Sequence, residues 1–318
     1  MKKNDEYIEL KIPQIIFRTI PLWLVILLVI NSSMLVGFTE YYFMKKIFND
    51  TVVELSKKTK SSEELFQVVK QQVIPQKGFT LGVVWHDIGK QLLDSGVIDQ
   101  QKYDELFVND PQEEEAMKYL TSSSKDHMKI DERNSRFMVN TLWAIGLVNK
   151  NRLLDEGDMK VEGEGNPMKF SSTGGWNLGA KPTRELYSST PLISLSFQQA
   201  ELVKKIAQNV YRPCCNNPTS FPDCNHGMAA LGYIELAVSQ GLSEREIYKD
   251  VLALNSFWFP QTYLEQAIYF QKQAKAWGSI DAKVALSKKY SSAQGAQIVS
   301  QSIQDVPGLQ APGGGCAA

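Results

Sequence analysis

The stretch YRPCCNNPTSFPDCNH, residues 211–226, constrains the fold more than any other part of the chain. It holds three prolines and three of the four cysteines. Proline removes a backbone donor and breaks helices, so the stretch predicts an irregular loop. Residues 197–211 before it and residues 226–241 after it show helical patterns. The sequence therefore predicts two helices joined by a tight loop that carries sulfur ligands.

One interpretation of this loop is a metal site. Three thiols and one imidazole form the ligand set of a Cys₃His centre: Cys214, Cys215, Cys224 and His226. The spacing lacks the C-x₂₋₄-C knuckles of zinc fingers, and adjacent cysteines suit a soft, low-coordinate ion such as Cu(I). The expected cofactor is a transition-metal ion, with Zn, Cu and Fe all open. Cys316, which follows GGG near the C-terminus, is a further candidate ligand.

Two other interpretations of the cysteines stay open. Four cysteines in an oxidising compartment predict disulfides, with Cys214 or Cys215 paired to Cys224 and Cys316 taking the other. Free or redox-active thiols are the third possibility, because Cys224 at a helix N-terminus is expected to have a lowered pKa. No Ser-His-Asp or paired-carboxylate arrangement is recognisable from spacing, so no catalytic residue is assigned.

Residues 19–39 contain no charged side chain. A helix of that length covers about 30 Å, the thickness of a bilayer core, so the run predicts a transmembrane anchor. A cleaved signal peptide and a buried core helix are the alternatives. Flanking lysines and arginines favour a cytoplasmic N-terminal segment at 1–18 and a single-pass protein whose C-terminal part is extracytoplasmic.

The remaining chain predicts an all-α fold. A helical linker is expected at 40–77, a helical domain at 78–305, and a flexible Gly-rich tail at 306–318. The spacing of Val84, Ile88 and Leu92 predicts one helix. Residues 109–130 are predicted to form a polar connection, and residues 156–191 are predicted to form a long irregular loop. With 34 Lys plus Arg against 35 Asp plus Glu, no basic surface for nucleic acid is expected.

The motif PCCNN followed by FPDCNHG, together with STGGWNLG and NSFWFPQTY, resembles a set of uncharacterised bacterial membrane-anchored proteins with no established activity. The resemblance covers most of 78–318 and implies that the four cysteines and His226 belong together. The sequence thus predicts a membrane-anchored extracytoplasmic protein that binds a thiophilic metal for acquisition, delivery or sensing. The alternatives are a thiol-redox or metal-dependent oxidoreductase and a disulfide-stapled interaction protein. Its protein partners are unknown.

Overall fold

The structure is a computed structural model that describes residues 61–107, residues 116–303 and four isolated positions before them. The chain divides into two compact units, Met1–Ser61 and Ser62–Ala318. The second unit holds the sheet, the core and all four cysteines, of which three lie among the described residues.

Two helices at the centre of this unit are buried on every side. They are α5 (Ser135–Val148) and α11 (Asn225–Ser239), and all residues from Phe137 to Val148 and from His226 to Val238 are buried. The helices approach each other closely at Gly146 and Gly232. A Cβ at Gly232 would lie 2.4 Å from the Leu142 carbonyl oxygen, and one at Gly146 would lie 2.2 Å from the Met228 carbonyl oxygen. Glycine is therefore required at this crossing.

Longer helices surround this central pair, and their ends follow local sequence signals. α10 (Phe197–Ala207) and α12 (Glu244–Trp258) each begin with a capping box, from Ser196 and from Ser243. Pro260 is the first residue of α13. The other helices of eight or more residues are α1 (Ser61–Val73), α2 (Ile88–Ser95), α3 (Gln100–Phe107), α13 (Pro260–Lys272) and α16 (Ala293–Gln301).

Most of the remaining helices in the described residues have four or five residues. They are α4 (Lys118–Thr121), α6 (Arg152–Glu156), α7 (Asp158–Glu162), α8 (Ser171–Gly174), α9 (Thr183–Leu186), α14 (Ala282–Ala285) and α15 (Lys288–Ser291). Four of them lie within the predicted loop 156–191 or at its start. That segment is packed against the core, because Trp176 and Leu186 are buried.

A two-stranded antiparallel sheet lies beside the helices. β1 (Phe79–His86) pairs with β2 (Ser124–Ile130), with Phe79 opposite Ile130 and irregular register further along. The other edge of β1 is occupied by side chains from the helical part. Asp250 Oδ2 accepts from the Gly82 N–H at 2.8 Å, and the Gln240 amide bonds to both the N–H and the carbonyl of Val84.

The all-α prediction is therefore wrong. Val84 lies in a strand, while Ile88 and Leu92 lie in the helix after it, so one apparent helical face spans two elements. Alternating burial of Leu81, Val83 and Trp85 is the strand signal that the helical interpretation missed. Residues 124–130 of the predicted polar connection form the second strand.

The predicted membrane anchor is also corrected. Among the residues that the structure describes, no helix is both long and apolar enough to pass through a membrane. The predicted span, 19–39, lies outside those residues except for Thr39. The assignments of a single-pass, signal-anchored protein with an extracytoplasmic domain are therefore withdrawn.

Candidate functional site: a three-cysteine cluster beside a buried arginine

The cysteine loop, residues 211–224, joins α10 to α11 and brings three thiols together. The Sγ atoms of Cys214 and Cys224 are 3.5 Å apart, those of Cys215 and Cys224 are 3.9 Å apart, and those of Cys214 and Cys215 are 4.0 Å apart. Each of the three is a free cysteine that is partly buried. Their sulfur atoms lie close enough together to bind a metal ion.

Cys224 occupies the N-cap position of α11. Its sulfur accepts a hydrogen bond from the Gly227 N–H at 3.3 Å, in the role that Ser or Asp usually has. The sequence interpretation that placed Cys224 at a helix N-terminus is confirmed. The helix end thus presents its N–H groups to a sulfur.

Arg212 holds the loop together from inside. Its side chain is completely buried, and Nε donates to Cys224 Sγ at 3.1 Å. Nη1 donates to the carbonyl of Asn217 at 2.9 Å, and Nη2 donates to the carbonyl of Phe221 and to Asp223 Oδ1. Because one guanidinium bonds to four places along the loop, the loop has a defined shape without regular secondary structure.

The three thiols differ in acidity. Hydrogen bonds from Cys214 and Cys215, with the charge of Arg212 beside it, hold the pKa of Cys224 well below its ordinary value despite burial. The bonds that Cys214 makes to the other two sulfurs, and its burial, raise its pKa. The bond from Cys214 lowers the pKa of Cys215, but its contact with Cys224 and its burial outweigh this and raise it to about 12. Cys224 is therefore the most acidic of the three thiols.

His226 is placed apart from the sulfur cluster. Its Nδ1 lies 2.9 Å from Asn225 Oδ1, and its ring packs against Phe259 and Trp258 at centroid distances of 4.4 and 5.8 Å. Burial lowers the pKa of His226 to about 4, so the imidazole is neutral. Within the described residues, the group that could hold an ion consists of the three cysteines without this histidine. Cys316 lies outside the described residues.

Two neighbouring segments support the loop from outside. The N–H of Ser172 and the hydroxyl of Ser171, both in α8, donate to the carbonyl of Asp223 at 3.1 and 2.9 Å. On the other side, the N–H of Ala293 in α16 donates to the carbonyl of Cys215 at 2.9 Å. Segments that are distant in sequence thus hold the backbone at Cys215 and directly before Cys224.

Sequence reasoning missed Arg212. It stands directly before the Pro-Cys-Cys triplet, and its partner Asp223 stands directly before Cys224. The signal available in the sequence was a pair of opposite charges, with one charge at each end of the proline-rich loop. Nothing in the spacing shows that the arginine turns inward, because arginine is usually exposed.

The fold and the cluster define a mainly helical protein with a small sheet and a three-thiol site at a helix N-terminus. Comparisons with protein-family models, with curated proteins and with solved structures find no match to the chain. The resemblance drawn from the cysteine motif stays a prediction.

Proposed function

We propose that Cys214, Cys215 and Cys224 together bind one thiophilic transition-metal ion, and that metal binding is the function of this site. The observation that carries the proposal is the sulfur–sulfur spacing of 3.5–4.0 Å. A metal–sulfur bond of about 2.3 Å gives sulfur–sulfur separations of about 3.8 Å in a tetrahedral site and about 4.0 Å in a trigonal one. The three thiols are therefore already at the distances that a metal requires.

The surroundings of the sulfurs support the same proposal. Metal-bound thiolates are commonly stabilised by N–H donors around the site, and Cys224 receives two, from Arg212 and from Gly227. The cluster contains only sulfur, which favours ions that prefer soft ligands, such as Cu(I), Zn or the iron of iron–sulfur centres. We propose acquisition, delivery or sensing of such an ion as the biological role.

Cys316 is proposed as a fourth ligand. α16 begins where the N–H of Ala293 bonds to the Cys215 carbonyl, and the helix ends at Gln301. The chain from Ile303 to Cys316 is able to extend over at most about 43–47 Å, whereas the helix spans about 13 Å. The chain beyond residue 303 is thus long enough to return to the loop.

The test is elemental analysis of the full-length protein, purified anaerobically and then loaded with Zn(II) or Cu(I). About one equivalent of ion is expected in the wild type, and far less in Cys215→Ser, whose backbone contact with Ala293 is retained. Cys316→Ser is the companion variant: reduced affinity assigns the fourth ligand to the tail, and unchanged affinity removes Cys316 from the site. Full metal content in Cys215→Ser, with helicity unchanged by circular dichroism, would show that the proposal is wrong.

Thiol–disulfide exchange is a second candidate, favoured by the 3.5 Å separation of the Cys214 and Cys224 sulfurs beside two N–H donors. In this reaction the Cys224 thiolate attacks a protein disulfide and releases one thiol. Cys214 then displaces the second thiol, which leaves a Cys214–Cys224 disulfide in place of the substrate's. Trapping a mixed disulfide on Cys224 in Cys214→Ser supports this candidate; a metal-free protein without such an adduct counts against it.

A further inference from the structure

Arg212 is unusual among the charged residues because its guanidinium is completely buried and uses most of its hydrogen-bonding capacity. A guanidinium carries five N–H donors. Four of them are used, by Cys224 Sγ, the carbonyls of Asn217 and Phe221, and Asp223 Oδ1. This group is therefore not arranged to bind an anionic substrate, since one donor alone is left over.

The position of the guanidinium depends on a glycine in the first turn of α11. A Cβ at Gly227 would lie 2.5 Å from Arg212 Cζ and Nη2 and 2.7 Å from Nε. The guanidinium thus lies against the helix where a side chain would otherwise stand. Arg212 and the Gly227 N–H reach the same sulfur, at 3.1 and 3.3 Å.

We propose that Arg212 is a positioning residue of the metal centre, which directs Cys224 toward the ion and tunes the bound metal through its Nε–H···Sγ hydrogen bond. This inference rests on the proposed function, because it concerns the ion held by the three thiols. Arg212 does not contact the ion itself. It acts on the metal through the sulfur of one ligand.

The physical basis is the effect of a hydrogen bond on a sulfur ligand. A donor to a thiolate lowers the energy of the sulfur electrons, and hydrogen bonds to sulfur are among the features that set the properties of thiolate-bound metals. Loss of such a donor moves sulfur-to-metal charge transfer to longer wavelength. Loss of a supporting residue around a metal site typically costs about 10–100-fold in metal affinity.

The first experiment loads the full-length wild type and Arg212→Lys with Co(II) and records the sulfur-to-cobalt charge-transfer band. Lysine keeps the positive charge but cannot bond to the same four places. The expected result is a band at longer wavelength, about 10–100-fold weaker affinity and the same stoichiometry at saturation. An unshifted band in a loaded, folded Arg212→Lys protein overturns the inference and leaves the proposed function intact. Absence of a band in the wild type, together with no bound Zn(II) or Cu(I) in the elemental analysis, refutes the proposed function itself.

The second experiment displaces the guanidinium without changing it. Gly227→Ala places a methyl group against Arg212 and retains the backbone N–H, so the same shift to longer wavelength is expected. Gly278→Ala is the matched comparison, because nothing lies within 4 Å of a Cβ there, and its band is expected to equal that of the wild type.

A measurement on the wild type removes any dependence on how the variants fold. In full-length protein loaded with the NMR-active cadmium isotope, the Hε of ¹⁵N-labelled Arg212 is expected to show a scalar coupling to cadmium through the sulfur. An assigned Arg212 Hε that exchanges rapidly with water and shows no coupling, in a protein with cadmium bound at one equivalent, overturns the inference.

Discussion

The helix pair α5–α11 and the cysteine loop meet at the N-terminus of α11, but different interactions hold them. The helix pair depends on apolar side chains and on close contact between backbones at Gly146 and Gly232. The loop has no regular structure and is held by hydrogen bonds, four of which come from one buried cation. α11 belongs to both regions, since its first residues face the sulfurs and its middle is buried in the core.

The comparison shows where each region is sensitive to substitution. Apolar packing is shared among many residues, so most single changes in the helix pair cost a moderate amount. Arg212 alone makes four of the loop's hydrogen bonds, so removal of that residue leaves several groups unpaired together. Because one residue makes four of these bonds, it helps to fix the geometry of a short loop that must hold three sulfurs.

The largest expected effect on the free energy of unfolding comes from a carboxylic acid within the mainly apolar helix pair. Glu235 is completely buried beside Asn151, and burial raises its pKa to about 8, against the hydrogen bond that the Asn151 amide donates to it. Below pH 4.5 both the folded and the unfolded states are protonated. Between about pH 4.5 and pH 8 the folded state holds a proton that the unfolded state releases, so the free energy of unfolding falls as pH rises.

The expected fall is about 1.4 kcal/mol per pH unit, and at most about 5 kcal/mol over the window. Glu235→Gln removes the ionisable group, so its advantage over the wild type should grow from pH 5 to pH 8 in urea denaturation. The exposed Glu201→Gln serves as the comparison and should show no such trend. Parallel pH profiles for the wild type and Glu235→Gln would contradict the prediction.

Arg212→Met should destabilise the protein by about 3–5 kcal/mol, the usual cost of breaking a buried ion pair from one side. Methionine retains apolar volume but leaves Asp223 and the carbonyls of Asn217 and Phe221 without their donor. Chemical denaturation of the metal-free protein measures the change. Arg152→Met, at an exposed i, i+4 pair with Glu156, should cost no more than about 0.5 kcal/mol. Equal effects of the two changes would mean that the loop does not depend on Arg212.

Gly232→Ala tests the helix pair directly and should cost about 2–3 kcal/mol. The new Cβ would meet the Leu142 carbonyl oxygen at 2.4 Å and the Gly146 nitrogen at 2.6 Å, and both are backbone atoms that cannot turn away. Thermal or urea unfolding gives the value, with Gly278→Ala as the comparison in open space. Metal affinity should stay unchanged, because the crossing lies away from the sulfurs. A neutral Gly232→Ala would show that the helices separate at little cost.

The sequence predicted the features that depend on local signals better than those that depend on contacts between distant segments. Helices begin at Pro260 and directly after Ser196 and Ser243, where the sequence carries capping and proline signals, because such signals are local. The predicted helical domain, 78–305, contains the core helix α5. The strands were missed because their pairing is non-local and β2 buries only Met128 and Ile130.

The site was predicted in part for a related reason. The proximity of Cys214, Cys215 and Cys224 follows from a short loop whose ends must meet, which spacing reveals. The orientation of His226 depends on Phe259 and Trp258, which come from the end of α12, and the direction of Arg212 depends on Gly227. Contacts between separate elements determine the orientation of both side chains. Such contacts cannot be deduced from a single sequence.

The smallest expected effect concerns the contact between the cysteine loop and α8. Ser171→Ala removes the hydroxyl that donates to the Asp223 carbonyl at 2.9 Å but leaves the Ser172 N–H donating to the same oxygen. Because the residue is exposed and the carbonyl keeps one donor, the cost should be about 0.5 kcal/mol. Ser279→Ala, which loses a bond only to its own turn, is the matched comparison in the same denaturation experiment. A loss above about 2 kcal/mol at Ser171 would mean that α8 fixes Asp223 together with Arg212. The contrast between a core stabilised by many residues and a loop stabilised mainly by one residue would then need revision.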